Sequence, residues 1–191
     1  MFQAMPDQGS WPLQWGVVIG ASLVAALIDL WRRRIPNWLT GPLLLAGFVV
    51  AGLTGGWGGV WDALKAMALM MAPFVILFIW AGGGAGDAKL MGALGTWLGF
   101  HDSIAVLLAV CVCGIMIGIL FSLAKGKLLR MLHNMLLIIF GLLSNVASRA
   151  GWRRAGAILK EPTGMETIPY GVAIFLGVCA AAVETTLWPI A

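Results

Sequence analysis

The sequence predicts an all-α, polytopic membrane helix bundle, and three observations carry that expectation. Hydrophobic residues make up 61% of the 191 positions and charged residues only 10%, whereas soluble domains are about 45–50% apolar and about 25% charged. Several apolar runs approach the roughly 20 residues that a helix needs to cross a bilayer. The basic residues gather between those runs instead of forming one soluble basic face, so the net charge of +4 speaks for membrane orientation and against nucleic-acid binding.

Taken in order, apolar length places spans near 14–30, 38–54, 63–81, 88–100, 104–124 and 168–188, six in all within a single domain covering 1–191. The fourth is short and would cross with help from flanking backbone or a thinner bilayer. The glycines Gly52, Gly55, Gly56, Gly58 and Gly59, with Trp57 and Trp61, read as the turn between the second and third spans, the tryptophans as belt anchors. Met67, Met70 and Met71 form a stripe expected in the core, and Gly114 and Gly118 are spaced for close helix contact. The apolar stretch 135–143 is too short to span and is flanked by bases, so the segment 127–147 is expected to lie at the cytoplasmic interface as a helix with its apolar face down.

Charge supplies a separate check. On this scheme Arg32, Arg33, Arg34, Lys89, Lys125, Lys127, Arg130, Arg149, Arg153, Arg154 and Lys160 share one side, eleven of the twelve basic residues. That side is the cytoplasm by the positive-inside rule, and six spans then leave both termini outside. Lys65 stands apart and is expected to pair with Asp62, three residues earlier. The run Arg32–Arg34 reads as a topological anchor in contact with anionic lipid. The opening residues lack the basic n-region of a cleavable signal peptide. Cys111, Cys113 and Cys179 lie inside apolar runs and read as buried small hydrophobes. Neither His101 nor His133 has a second histidine at ligand spacing, so no metal or other cofactor is expected.

Two acids then stand out. Asp29 closes the first span in ALIDLWRRRIPNWLT, and Asp87 opens the fourth in GGGAGDAKL, on the same side and at the same depth. Each has an ordinary structural use. Asp29 has Arg32 and Arg33 at helical spacing, and Asp87 is placed to cap the short fourth helix. A cap, however, does not call for Gly84 and Gly86 before it, and glycine there would let another backbone, such as an extended peptide, come close. Two carboxyls sharing a proton are the apparatus of an aspartic protease: one activates water and the other polarises the peptide carbonyl. Acids at matched depth also occur in proton-coupled transporters, and a structural subunit of a secretion or pilus assembly is a further alternative.

These residues resemble the type IV prepilin peptidases, among the GxGD intramembrane aspartyl proteases. The likeness rests on Asp29 followed by Arg34-Ile35-Pro36-Asn37 and Leu39-Thr40. It continues in Gly84-Ala85-Gly86-Asp87 with Lys89-Leu90 and Leu94-Gly95, and in Ile168-Pro169-Tyr170-Gly171 at the start of the last span. In presenilins and signal peptide peptidases the first acid follows tyrosine, whereas here Ile28 precedes Asp29.

The resemblance implies an inner-membrane endopeptidase that removes a short basic leader from a prepilin at the cytoplasmic face. Asp29 and Asp87 would be catalytic and would need no cofactor. Gly84, Gly86, Lys89, Arg34, Pro36, Asn37, Pro169 and Gly171 would shape the site, with Glu161 and Glu166 available to meet the basic leader. The family's larger members carry paired CxxC motifs associated with N-methylation. These 191 residues contain none, so methyltransferase activity is not expected and the short Flp/Tad form is the nearest match. Pro36 also has a local reading, since it disfavours helix at Ile35, and Asn37 is positioned to cap the second span.

Overall fold

A computed structural model describes residues 11–81, 84–124, 126 and 170–187. The secondary structure of the described residues is helical: α1 (Trp11–Arg32), α2 (Asn37–Ala81), α3 (Ala85–Ala124) and α4 (Tyr170–Leu187), with 33–36 a non-helical link between α1 and α2. Hydrocarbon offers the backbone no hydrogen-bond partners, so apolar segments of this length satisfy their own amides as helices. Three helices are long and apolar enough to cross a membrane, at Leu13–Arg32, Asn37–Ile79 and Ala85–Ala124, and α4 is a shorter apolar helix. The segment 127–147 lies outside the described residues, as do His133, Glu161, Glu166 and Pro169.

α2 and α3 depart from the expected pattern of separate helices joined by loops. Each is one helical element broken at a single glycine, Gly56 (φ 56°, ψ −144°) in α2 and Gly99 (φ 73°, ψ 175°) in α3. Positive φ is open to glycine at little cost, so each helix kinks there without an intervening loop. The glycine-rich turn read from the sequence is therefore mostly helix, and Gly59 closes against the Ala51 backbone across the bend. The limbs so produced, 37–55 and 57–81 in α2 and 85–98 and 100–124 in α3, follow the second to fifth apolar segments of the sequence.

Asp62 secures the second bend. Its Oδ2 accepts the Phe100 N–H at 2.9 Å, just past Gly99, and satisfies an amide that a helix start leaves free. The expected Asp62–Lys65 pair forms at 3.9 Å, and Lys65 Nζ lies 6.0 Å from the centroid of the Phe100 ring. Asp62 is thus a cap as well as an ion-pair partner. The sequence alone did not indicate the capping, because the capped amide lies 38 residues away.

α2 makes its main contact with α3, and α4 touches both α1 and α3. The core holds Val18, Met70, Leu90, Met91, Leu94, Val106, Val110, Ile174 and Val178. Met70 sits there as expected, with Met71 packed beside it. The Trp97 indole N–H donates to the Leu43 carbonyl at 2.8 Å and ties the first limb of α2 to α3. At the α3–α4 contact, a methyl group on Gly177 would lie 2.5 Å from Val110 Cα, so glycine alone permits this approach.

The cysteines correct an expectation: Cys111 is exposed, and Cys113 and Cys179 are half-exposed. Lipid solvates apolar groups, so an apolar residue gains little by turning inward. Leu108, Val112, Ile115, Met116 and Leu120 are likewise exposed along the second limb of α3.

Gly177→Ala should destabilise the bundle by about 1–3 kcal/mol through overpacking. Gly55→Ala, where nothing lies within 4 Å of the added methyl, should be neutral or slightly stabilising. Thermal unfolding in detergent checks both.

Candidate active site

The end of α1, the link into α2, the start of α3 and the start of α4 meet at one end of the bundle. Asp29 lies in the last turn of α1 and is 6% exposed. Its Oδ2 accepts the backbone N–H of Gly171 at 2.9 Å. Its own carbonyl accepts the Arg33 N–H at 2.8 Å, which closes the helix. The anticipated pairing with Arg32 or Arg33 is not made, because the carboxylate points inward to α4 while all three arginines are exposed. A buried carboxylate needs such a donor, and the first turn of a helix supplies free amides with a favourable dipole.

Asp87 occupies the first turn of α3, half-buried, and its N–H bonds to the Gly84 carbonyl at 3.2 Å. Its carboxyl folds back over Gly84, where a methyl group would lie 2.7 Å from Oδ2. Gly86 is filled from another direction, since a methyl group there would come within 3.0 Å of Ile35 Cβ and 3.3 Å of its nitrogen. The space beside these glycines is therefore used by the protein's own atoms: Gly84 admits the Asp87 carboxyl and Gly86 admits the α1–α2 link. Gly84 itself remains exposed beside the acid. Asp29 and Asp87 thus come from different helices to the same end of the bundle, Asp29 against the start of α4 and Asp87 beside the α1–α2 link.

Other sequence-selected residues fall around this pair. Ile35 and Pro36 are non-helical, as Pro36 requires of its predecessor. The Pro36 carbonyl, not the Asn37 side chain, opens α2 by accepting the Leu39 N–H at 3.2 Å. Asn37 instead accepts Lys89 Nζ at 2.9 Å. That bond joins the first residue of α2 to α3 two residues past Asp87, so Gly86–Ile35 and Lys89–Asn37 bracket the acid. Arg34 is exposed and stands outside the cluster.

Gly171 is closely constrained by α1. A methyl group there would lie 2.9 Å from Asp29 Cβ and 3.2 Å from Ala26 Cα. Only glycine brings the α4 backbone within bonding distance of Asp29. Sequence reading passed over Tyr170 as a site residue. Its ring meets Phe74 edge-on at 5.9 Å between centroids, and its hydroxyl fills the hollow at Gly114. The available signal was its position beside Gly171 as the sole tyrosine in the chain.

Among the described residues, no group of three or more His, Cys, Asp or Glu side chains is arranged to hold a metal ion. The chemistry at hand is that of two carboxyls, one gripped by a helix-terminal amide. Gly171→Ala should lengthen or break the Asp29–Gly171 bond and cost about 1–3 kcal/mol, read as a lower unfolding midpoint.

Residues 16–119 match the family model described as "Type IV leader peptidase family". Three relatives share the printed name "Prepilin leader peptidase/N-methyltransferase". The protein from Neisseria gonorrhoeae is 26% identical over 167 residues, covering 80% of this chain and 55% of its own length. That from Aeromonas hydrophila is 35% identical over 120 residues, 55% of this chain and 40% of its own. That from Burkholderia pseudomallei (strain 1026b) is 35% identical over 111 residues, 52% of this chain and 34% of its own. This chain therefore spans about half or less of the curated relatives it matches. No solved structure matches it significantly. The matched region takes in both acids, the α1–α2 link and most of α3, and on that extent the chain belongs to the type IV leader peptidase family.

Proposed function

We propose that this protein is a membrane aspartyl endopeptidase that removes the short basic leader from type IV prepilins of the Flp/Tad kind. One observation carries the reading. Within a leader-peptidase family chain, two carboxyls from different helices, Asp29 and Asp87, are brought to one end of the bundle around the α1–α2 link and the start of α4. The relatives' printed names support a prepilin as substrate.

In the proposed reaction the dyad shares one proton. The unprotonated carboxylate takes a proton from water as its oxygen attacks the scissile carbonyl carbon, and the protonated carboxyl hydrogen-bonds the carbonyl oxygen. The tetrahedral intermediate collapses by breaking the C–N bond, and a dyad proton passes to the leaving amine. Leader acid and mature amine result, with one water consumed. The Gly171 amide holds Asp29 in register, while the Lys89–Asn37 and Gly86–Ile35 contacts hold Asp87. No metal or cofactor is required by these steps.

The same proposal covers topology. The chain is one domain in the cytoplasmic (inner) membrane, crossing six times through α1, two limbs each of α2 and α3, and α4. The dyad faces the cytoplasm and both termini lie outside. What supports this is the placement of basic residues, together with the bends at Gly56 and Gly99. Segment 127–147 is proposed to lie at the cytoplasmic interface, with Glu161 and Glu166 nearby to meet the basic leader.

Co-expression with a candidate prepilin tests the chemistry. Asn keeps an acceptor for the Gly171 amide but cannot cycle a proton. Asp29→Asn and Asp87→Asn should therefore each lower cleavage by at least roughly a hundredfold at normal membrane levels, with Asp102→Asn unchanged. Wild-type cutting by either variant would remove the dyad and bring the transporter or scaffold reading forward. Topology is checked by single cysteines in a background free of the native three. An impermeant maleimide should label Gly55→Cys from outside and Ala124→Cys only after permeabilisation. Labelling of both from one side would break the six-crossing scheme.

A further inference from the structure

We propose that residues 31–34 form a docking site for anionic phospholipid headgroups, in the leaflet that holds Asp29 and Asp87. The site is a knuckle at the end of α1, fixed on both flanks. On one flank the Arg33 N–H bonds to the Asp29 carbonyl at 2.8 Å. On the other, Ile35 is buried against Gly86. Between these anchors Arg32, Arg33 and Arg34 are all exposed. Trp31 is 91% exposed and Trp38, just beyond the link, 65%.

Three features point to a phosphodiester surface. The arginines have no acidic partner among the described residues, where the ion pairs are Lys65–Asp62 and His101–Asp102. The nearest acid in sequence, Asp29, has turned inward to the Gly171 amide. Arg33 adopts a left-handed backbone (φ 51°) at the helix end, where glycine or asparagine is the ordinary residue. Glycine would close α1 with less strain, and a strained position of this kind points to a use for its side chain. Finally, guanidinium groups match phosphate in bidentate geometry, and indoles favour the headgroup level of a bilayer. Basic residues and indoles on one exposed knuckle therefore fit an anionic leaflet.

The site has a consequence for the acid beneath it. The Arg33 amide closes the turn that carries Asp29, so a headgroup held by the Arg33 side chain stiffens the end of α1. Such a site does not depend on whether the chain cuts a peptide.

The test uses the full chain in detergent, titrated with phosphatidylglycerol or phosphatidylcholine. Bound lipid is counted by native mass spectrometry, and the unfolding midpoint is followed in parallel. Phosphatidylglycerol should bind more tightly and raise the midpoint more, and that excess should shrink at about 0.5 M salt. Arg32→Gln should weaken phosphatidylglycerol binding roughly fivefold. Arg33→Gly separates a lipid role from a structural one. It relieves the left-handed strain, so the midpoint in phosphatidylcholine should hold or rise while the phosphatidylglycerol excess falls.

An undiminished excess in both variants would overturn the proposal, as would equal binding of the two lipids by the wild type. Stabilisation by a soluble acidic peptide equal to that by phosphatidylglycerol would make the knuckle a protein-docking surface and overturn the lipid assignment.

Discussion

The contact between the Asp29 carboxylate and the Gly171 amide governs the arrangement of everything around it. A carboxylate buried at the end of an apolar helix needs a donor, because leaving it unpartnered away from water is costly. Here the donor is a backbone amide in the first turn of α4, at 2.9 Å. That distance requires the α4 backbone to reach Asp29, which requires glycine at 171. It also sets how deep α4 sits between α1 and α3, and so where Tyr170 meets Phe74 and Gly114. A polar requirement at one atom thereby orders four apolar helices at one end of the bundle.

The rest of the packing follows from the solvent. In lipid, helices gain little from hiding leucine, so association depends on close van der Waals approach. This accounts for Gly177 against the Val110 backbone and for the leucines, valines and cysteines left facing outward. It also explains why the site is held by a few polar bonds. Lys89–Asn37 and Trp97–Leu43 are each one bond, and each joins segments more than fifty residues apart in sequence.

The two glycines before Asp87 serve the placement of the acid itself. Glycine removes bulk, and bulk removed near a charge invites the idea of room for a substrate. In the folded chain Gly84 is occupied by the Asp87 carboxyl and Gly86 by Ile35. The glycines therefore set the acid's own conformation and its distance from the α1–α2 link.

Much was legible in the sequence because hydropathy and charge act locally. The apolar segments, the two acids, the Asp62–Lys65 pair and the break at Pro36 each depend on neighbours within a few residues. Recognising the family needed only short motifs around Asp29 and Asp87. Tertiary structure decided the partners. It sent Asp29 to Gly171 and not to Arg32 or Arg33, gave Asn37 to Lys89, and made Asp62 a cap for Phe100. It also turned two expected loops into single-glycine bends at Gly56 and Gly99. The physical reason is the same in each case. A hydrogen bond is decided by distance in space, and residues far apart in the chain become near only when the helices have packed.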